Sequence, residues 1–227
     1  QYLNTAKVNV EIAKSAHIAW IRSAENDMAA STVLDFTSQQ QEESAFHYVS
    51  YLASGDLSRS DVAIRMEGED AYGQFYALNI GEERQHIAHV IDMDHAVPNC
   101  ESNQQVKNIL KNRAESIFDA QIHVYKDAQK INADQMTRSL ILDDGARALT
   151  IPRLLIYADD VRCTHGATVG FLEPEHMFYL RSRGISEAEA RAMLMRGYGA
   201  EILEGVENLA IREWLMHLLE KDIAKLV

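Results

Sequence analysis

Up to about residue 170, apolar residues alternate with polar ones in short runs. Examples are Val8, Val10 and Ile12; Val62-Ile64-Met66; Phe118-Ala120-Ile122-Val124; and Val161-Cys163-His165-Ala167-Val169. A period of two puts alternate side chains on opposite faces of a strand. Between the runs sit polar corners that lead into an alanine: Lys14-Ser15-Ala16, Glu43-Ser44-Ala45, Glu69-Asp70-Ala71, Asn112-Arg113-Ala114, Lys126-Asp127-Ala128 and Asp144-Gly145-Ala146. They recur loosely near multiples of ~14 residues, as if a corner closed every half coil of a solenoid with two strands per turn. A small residue suits a corner where stacked coils crowd. Asp144-Gly145 is the only Asn-Gly or Asp-Gly dipeptide between apolar runs. Helical crossovers of the length a doubly wound α/β sheet requires are missing. Many short strands with neither device predict a mainly β chain folded as a parallel solenoid. Pro98 and Pro152 then belong at turns or strand edges.

After Gly170 the pattern becomes helical. Pro174 fits the first turn of a helix that ends near Gly184. Ser186 and Glu189 form a capping box for a second helix through Met193, Leu194 and Ile202. A third runs from about Leu209 to Val227, with Ile211, Leu215, Leu218, Leu219 and Ile223 on one face. The expected organisation is a β-solenoid over 1–170 and a helical subdomain over 171–227, placed as a cap.

Composition narrows the function. The 227 residues carry 22 Lys+Arg against 34 Asp+Glu, a net charge of −12. That excess argues against nucleic acid and anionic membrane surfaces, both of which attract cationic faces. No apolar stretch approaches the ~20 residues that span a bilayer, and no signal segment opens the chain. Two cysteines make no disulfide framework, so a soluble cytoplasmic protein is expected. Gln1 with strand pattern almost at once predicts a segment entering a structure already under way, its first strand lacking a natural neighbour.

Cys163 and His165 lie two apart in a strand pattern, so they share a face about 6–7 Å apart along the chain. Thiolate and imidazole together can bind iron, zinc or a sulfur species. The plainer alternative is a small packed thiol and a satisfied strand histidine, since two ligands make no complete site. His86 and His89 fall on opposite faces, while His89 and His95 share one if the strand is unbroken; a ladder role outranks metal binding for them. Cys100 reads as an incidental thiol and Asp159-Asp160 as a corner. Arg181 and Arg183 close a helix, where cations suit its dipole, or else contact a partner.

The run from Ile156 through Asp159-Asp160-Val161-Arg162-Cys163-Thr164-His165-Gly166-Ala167-Thr168-Val169-Gly170, continued by Met177-Phe178-Tyr179-Leu180-Arg181-Ser182-Arg183-Gly184-Ile185, is long and ungapped. It resembles the carboxy-terminal signature of the SufB/SufD family of iron–sulfur cluster assembly scaffold proteins, in its SufD form. His95-Ala96-Val97-Pro98 with Ser102, Gln104 and Lys107 is similar to the same family, as is Ala128-Gln129-Lys130 with Ala133, Gln135 and Leu140-Ile141-Leu142. The likeness covers roughly residues 45 to 205. Departures are the family's amino-terminal helical portion, absent from this chain, and the residues Asn99-Cys100, Thr137 and Leu155.

The resemblance implies a right-handed parallel β-helix flanked by helices, acting as a scaffold without turnover of its own. It implies pairing with the paralogue SufB, or with itself when alone, and docking of the ATPase SufC near residues 174–205. By the same resemblance His165 matches a histidine at the SufB interface implicated in cluster assembly, and Cys163 its neighbour. Met177, Tyr179, Arg181 and Arg183 fall in the partner-contact region. No cofactor is expected to stay bound to the isolated chain; iron or a nascent iron–sulfur cluster is expected in the complex. Alternatives are a SufB-like subunit carrying the principal ligands, disfavoured by two cysteines, and a β-helix polysaccharide lyase, disfavoured because no carboxylate cluster for calcium is evident.

Overall fold

The computed structural model describes residues 2–24 and 29–227; Gln1, noted above as an unusual first residue, lies outside them. Among the described residues the chain forms twelve strands: β1 (Tyr2–Ile12), β2 (His17–Ala24), β3 (Ala30–Gln40), β4 (Ala45–Leu52), β5 (Leu57–Met66), β6 (Tyr72–Gly81), β7 (His86–His95), β8 (Glu101–Leu110), β9 (Glu115–Val124), β10 (Ile131–Ile141), β11 (Arg147–Ile156) and β12 (Val161–Phe171). Helices α1 (Pro174–Ser182), α2 (Glu187–Leu203) and α3 (Leu209–Leu226) follow. Odd strands build one sheet in the order β1-β3-β5-β7-β9-β11, and even strands a second in the order β12-β10-β8-β6-β4-β2. Each strand from β1 to β10 pairs in parallel with the strand two further on. Each coil therefore gives one strand to each sheet, and Asn79 lies beside Asn108, 29 residues on. This is the parallel solenoid that the missing hairpins and crossovers predict.

Strand parity decides what enters the lumen. Val62, Ile64 and Met66 on β5 and Phe118, Ala120, Ile122 and Val124 on β9 are buried in one core. An aromatic stack fills the early coils, with ring centroids 5.2 Å apart for Phe36–Tyr48 and 5.1 Å for Tyr48–Phe75. Each such pair adds ~0.5–1.5 kcal/mol beyond area burial.

Corners repeat one device. Ser15, Glu43, Asp70, Glu83, Asn99 and Asn112 all take positive φ, turning the chain sharply so that a small inward residue can follow. Ala71 and Ala114 are such residues, both buried. The long interval between them conceals two further corners, where Cys100 and Gln85 replace the alanine. Cys100 is fully buried, and burial pushes its thiol up to about 11. Gln85 uses its amide on the backbone, donating to the Gly55 carbonyl at 2.8 Å and accepting from the Glu82 N–H at 2.8 Å.

One side of the lumen is polar. Asn108 accepts from Asn79 Nδ2 and from Ser116 Oγ, each at 2.8 Å, and donates to Ser139 Oγ at 2.9 Å. His89 Nε2 lies 3.0 Å from Asn79 Oδ1, and His95 Nε2 lies 2.9 Å from Ser102 Oγ. Strand β7 is unbroken, so His89 and His95 share the inner face. His86 points outward to Glu115 at 3.1 Å. Burial pushes both inner imidazoles down to about 3, so they are neutral ladder members.

The helices begin where expected. Ser186 caps α2 by accepting from the Glu189 N–H, and Asn208 caps α3 through the Ile211 N–H. Their position corrects the cap reading: α2 and α3 lie along the flank of the solenoid, not over its end. Met195, Ile202, Leu203, Leu215, Leu218, Leu219 and Ile223 pack on Val49, Tyr51, Leu78, Ile80, Ile109 and Leu140. Those sheet residues point outward, and their apolar surface draws the helical stripes onto that face. On α2, Met193 is exposed while Met195 takes a core position.

Candidate functional site at the open end of the solenoid

Strand β12 pairs only with β10, and β11 only with β9. Among the described residues nothing covers their outer edges, which present unpaired backbone N–H and C=O groups along two adjacent strands. Val161, Cys163, His165, Ala167 and Val169 occupy the inward parity of β12, aligned with Ile131, Ala133, Gln135, Thr137 and Ser139 of β10. In earlier coils this parity is sealed. In the last coil it lines the mouth of the lumen.

Cys163 is half-buried against the main core, and burial pushes its thiol up. It therefore holds its proton in the isolated chain. His165, next along the same face, is exposed. The two share the face expected from their spacing. Among the described residues no group of three or more His, Cys, Asp or Glu side chains is placed to hold a metal ion. Any ligand set built on Cys163 and His165 needs further donors from elsewhere.

The surroundings of the mouth are apolar. Leu149, Ile151 and Leu155 stand on the outward face of β11, 49%, 37% and 39% exposed, with Tyr157 following at 62%. Leu149 and Ile151 do not stand out in the sequence, because the alternation Leu149-Thr150-Ile151 marks them as the lumenal set, whereas the register with β9 turns them outward. Arg153, between them, pairs with Asp119. Between the end of β12 and the helices lies a cleft of about 300 Å³ lined by Val169, Phe171, His176, Leu194 and Tyr198 among others.

Helix α1 follows directly and buries none of its residues. Tyr179 is 55% exposed, and Arg183 stacks over its ring at 4.3 Å. Arg181 reaches Glu187 at 3.5 Å. Met177 is half-buried, and its neighbour Phe178, not singled out from sequence, is the most exposed large apolar side chain among the described residues at 75%. Met177, Tyr179 and Arg181 thus lie on one short, lightly packed helix beside the open edge, with Arg183 at its C-terminal end.

Residues 1–198 match the family model described as SUF system FeS cluster assembly, SufBD core domain. The chain belongs to the SufBD family. An iron–sulfur cluster assembly SufBD family protein of Synechocystis is 30% identical over 207 residues, covering 90% of this chain and 45% of the relative. The iron–sulfur cluster assembly protein SufD of Escherichia coli is 28% identical over 217 residues, covering 95% and 51%. A SufBD family protein of Mycobacterium tuberculosis is 32% identical over 189 residues, covering 80% and 48%. The chain spans about half the length of the curated relatives it matches. Among the described residues no helix is long and apolar enough to cross a membrane.

Proposed function

We propose that this chain is a non-catalytic scaffold subunit for iron–sulfur cluster assembly, and that its open coil end is the working surface. The observation that carries the reading is the location of Cys163 and His165. They stand together at inward positions of an edge strand, at the mouth of the lumen, with too few ligands to complete a site. A partner strand added to the β11 and β12 edges satisfies the exposed backbone and covers Leu149, Ile151 and Leu155. It also brings donor side chains opposite His165 and Cys163. A closed mouth excludes water and oxidant from a nascent cluster, which is the cargo of the assembly and not a resident group.

The paralogue SufB is the physiological occupant of this edge in our reading, with a second copy of the chain taking its place when the subunit is alone. The exposed aromatic and basic surface of α1, with α2 behind it, is where the ATPase SufC docks. Its energy input reaches the mouth through the flank helices. Co-expression with candidate SufB and SufC proteins, followed by copurification and anaerobic iron and sulfide analysis, tests the reading. A three-component complex with iron and sulfide is expected. A chain that copurifies with neither partner contradicts it.

A further inference from the structure

A column of side chains inside the solenoid runs Phe75, Gln104, Gln135, His165, one residue per coil in strict register. Gln104 and Gln135 are fully buried, yet all four of their amide N and O atoms lack a hydrogen-bond partner among the described residues. The Thr137 hydroxyl, on the same face two residues along from Gln135, is also unpartnered. Buried polar groups are almost always satisfied. Strands of adjacent coils lie about 4.8 Å apart, so a small side-chain rotation brings each amide within hydrogen-bonding reach of the next.

We propose that Gln104 and Gln135 form an amide ladder whose outer end holds the His165 ring, which makes Gln135 the positioning residue for that histidine. The column fixes the direction of the ladder. Phe75 closes its inner end, and an aromatic face accepts N–H groups but not a carbonyl. Gln104 therefore turns its NH₂ toward Phe75 and its carbonyl toward Gln135. Gln135 donates to that carbonyl and turns its own carbonyl toward the mouth, where a ring N–H of His165, its register neighbour on β12, can meet it. A neutral imidazole has one N–H and one lone pair. With the N–H engaged inward, the other nitrogen presents its lone pair outward, the form that ligates a metal.

The role assigned to this lone pair rests on the scaffold reading; the ladder itself does not. The test is ¹⁵N spectroscopy of the histidine-labelled, metal-free full chain at about pH 8. His165 is expected in a single tautomer with a ring N–H proton slow enough in exchange to be observed. Gln135→Leu should mix the tautomers and lose that proton signal, while Gln135→Glu, whose carboxylate still accepts, should keep both. Should Gln135→Leu fail to fold, Gln135→Met, closer in shape to glutamine, is read the same way. Unchanged His165 ring signals in a folded Gln135→Leu or Gln135→Met chain overturn the ladder, including the case in which an ordered water holds the ring. No iron enters this measurement, so its failure is distinguishable from failure of the scaffold reading, which the copurification analysis reports.

Discussion

Lys107 on β8 donates from Nζ to Glu201 on α2 at 2.6 Å, although the lysine side chain is only 4% exposed and the carboxylate sits at the surface. The same ammonium donates to the Tyr198 carbonyl at 2.8 Å and lies 4.5 Å from the centre of the Tyr198 ring. Arg138 on β10 adds a second cation to Glu201 at 2.6 Å. Burial works against the charged lysine and lowers its pKa, whereas the hydrogen bond from Lys107 lowers that of Glu201. The opposing effects leave a modest net attraction that pins α2 to the strands next to the open end.

Replacing Lys107 by methionine keeps most of the apolar stem and removes these bonds. A stability loss of about 1–3 kcal/mol is expected, with faster amide exchange along α2 while the lumen strands stay protected. Denaturant unfolding and hydrogen exchange on the same variant check both parts. Equal loss of protection in helix and solenoid contradicts a local latch.

Asn108 carries three hydrogen bonds inside the lumen, so its truncation strands several buried groups at once. Asn108→Ala leaves Asn79 Nδ2, Ser116 Oγ and Ser139 Oγ without this partner. A loss of about 3–5 kcal/mol is expected. Ser116→Ala removes one donor while Asn108 Oδ1 still accepts from Asn79, and should cost about 1 kcal/mol. Urea midpoints of the two variants measure the contrast.

His89 and His95 make folding sensitive to acid. Their folded values lie near about 3 and their unfolded values near ~6.5. The unfolded chain therefore binds more protons throughout that interval. Their contribution is fully present above pH ~6.5 and is lost progressively as pH falls toward 3, with a slope of up to about 2.7 kcal/mol per pH unit for the pair. Stability measured at pH 7 and pH 5 should fall steeply for the parent. The fall should be shallower for His95→Gln at comparable starting stability; an identical pH dependence contradicts the assignment.

The solenoid was readable from parity alone because each strand has one lumenal face, so Val62-Ile64-Met66 and its counterparts carry a clean period of two. The corners at Gln85 and Cys100 escaped notice because these residues stand where alanine marks the others. The helical flank was misplaced for a different reason. Amphipathic stripes show that α2 and α3 must cover something, without showing what. The signal lay in the strands: Tyr48-Val49-Ser50-Tyr51-Leu52 and Ala77-Leu78-Asn79-Ile80 break alternation because both faces are buried there. The pairing of Cys163 with His165 followed from spacing. The place of Gln135 beneath His165 did not, since coil-to-coil register varies and only the ladder reveals which residues stack.

The central claim is that His165 serves cluster assembly at the coil end and not the packing of its own strand. Its most direct test is the yield of iron–sulfur cluster in cells that depend on this assembly route alone, comparing parent, His165→Ala and Cys163→Ser. Complex integrity is followed in parallel. His165 is exposed, so His165→Ala should fold and assemble normally while cluster yield falls several-fold. Cys163→Ser should do less, because its half-buried thiol contributes packing as well as chemistry. Normal cluster yield from an intact His165→Ala complex would contradict the account.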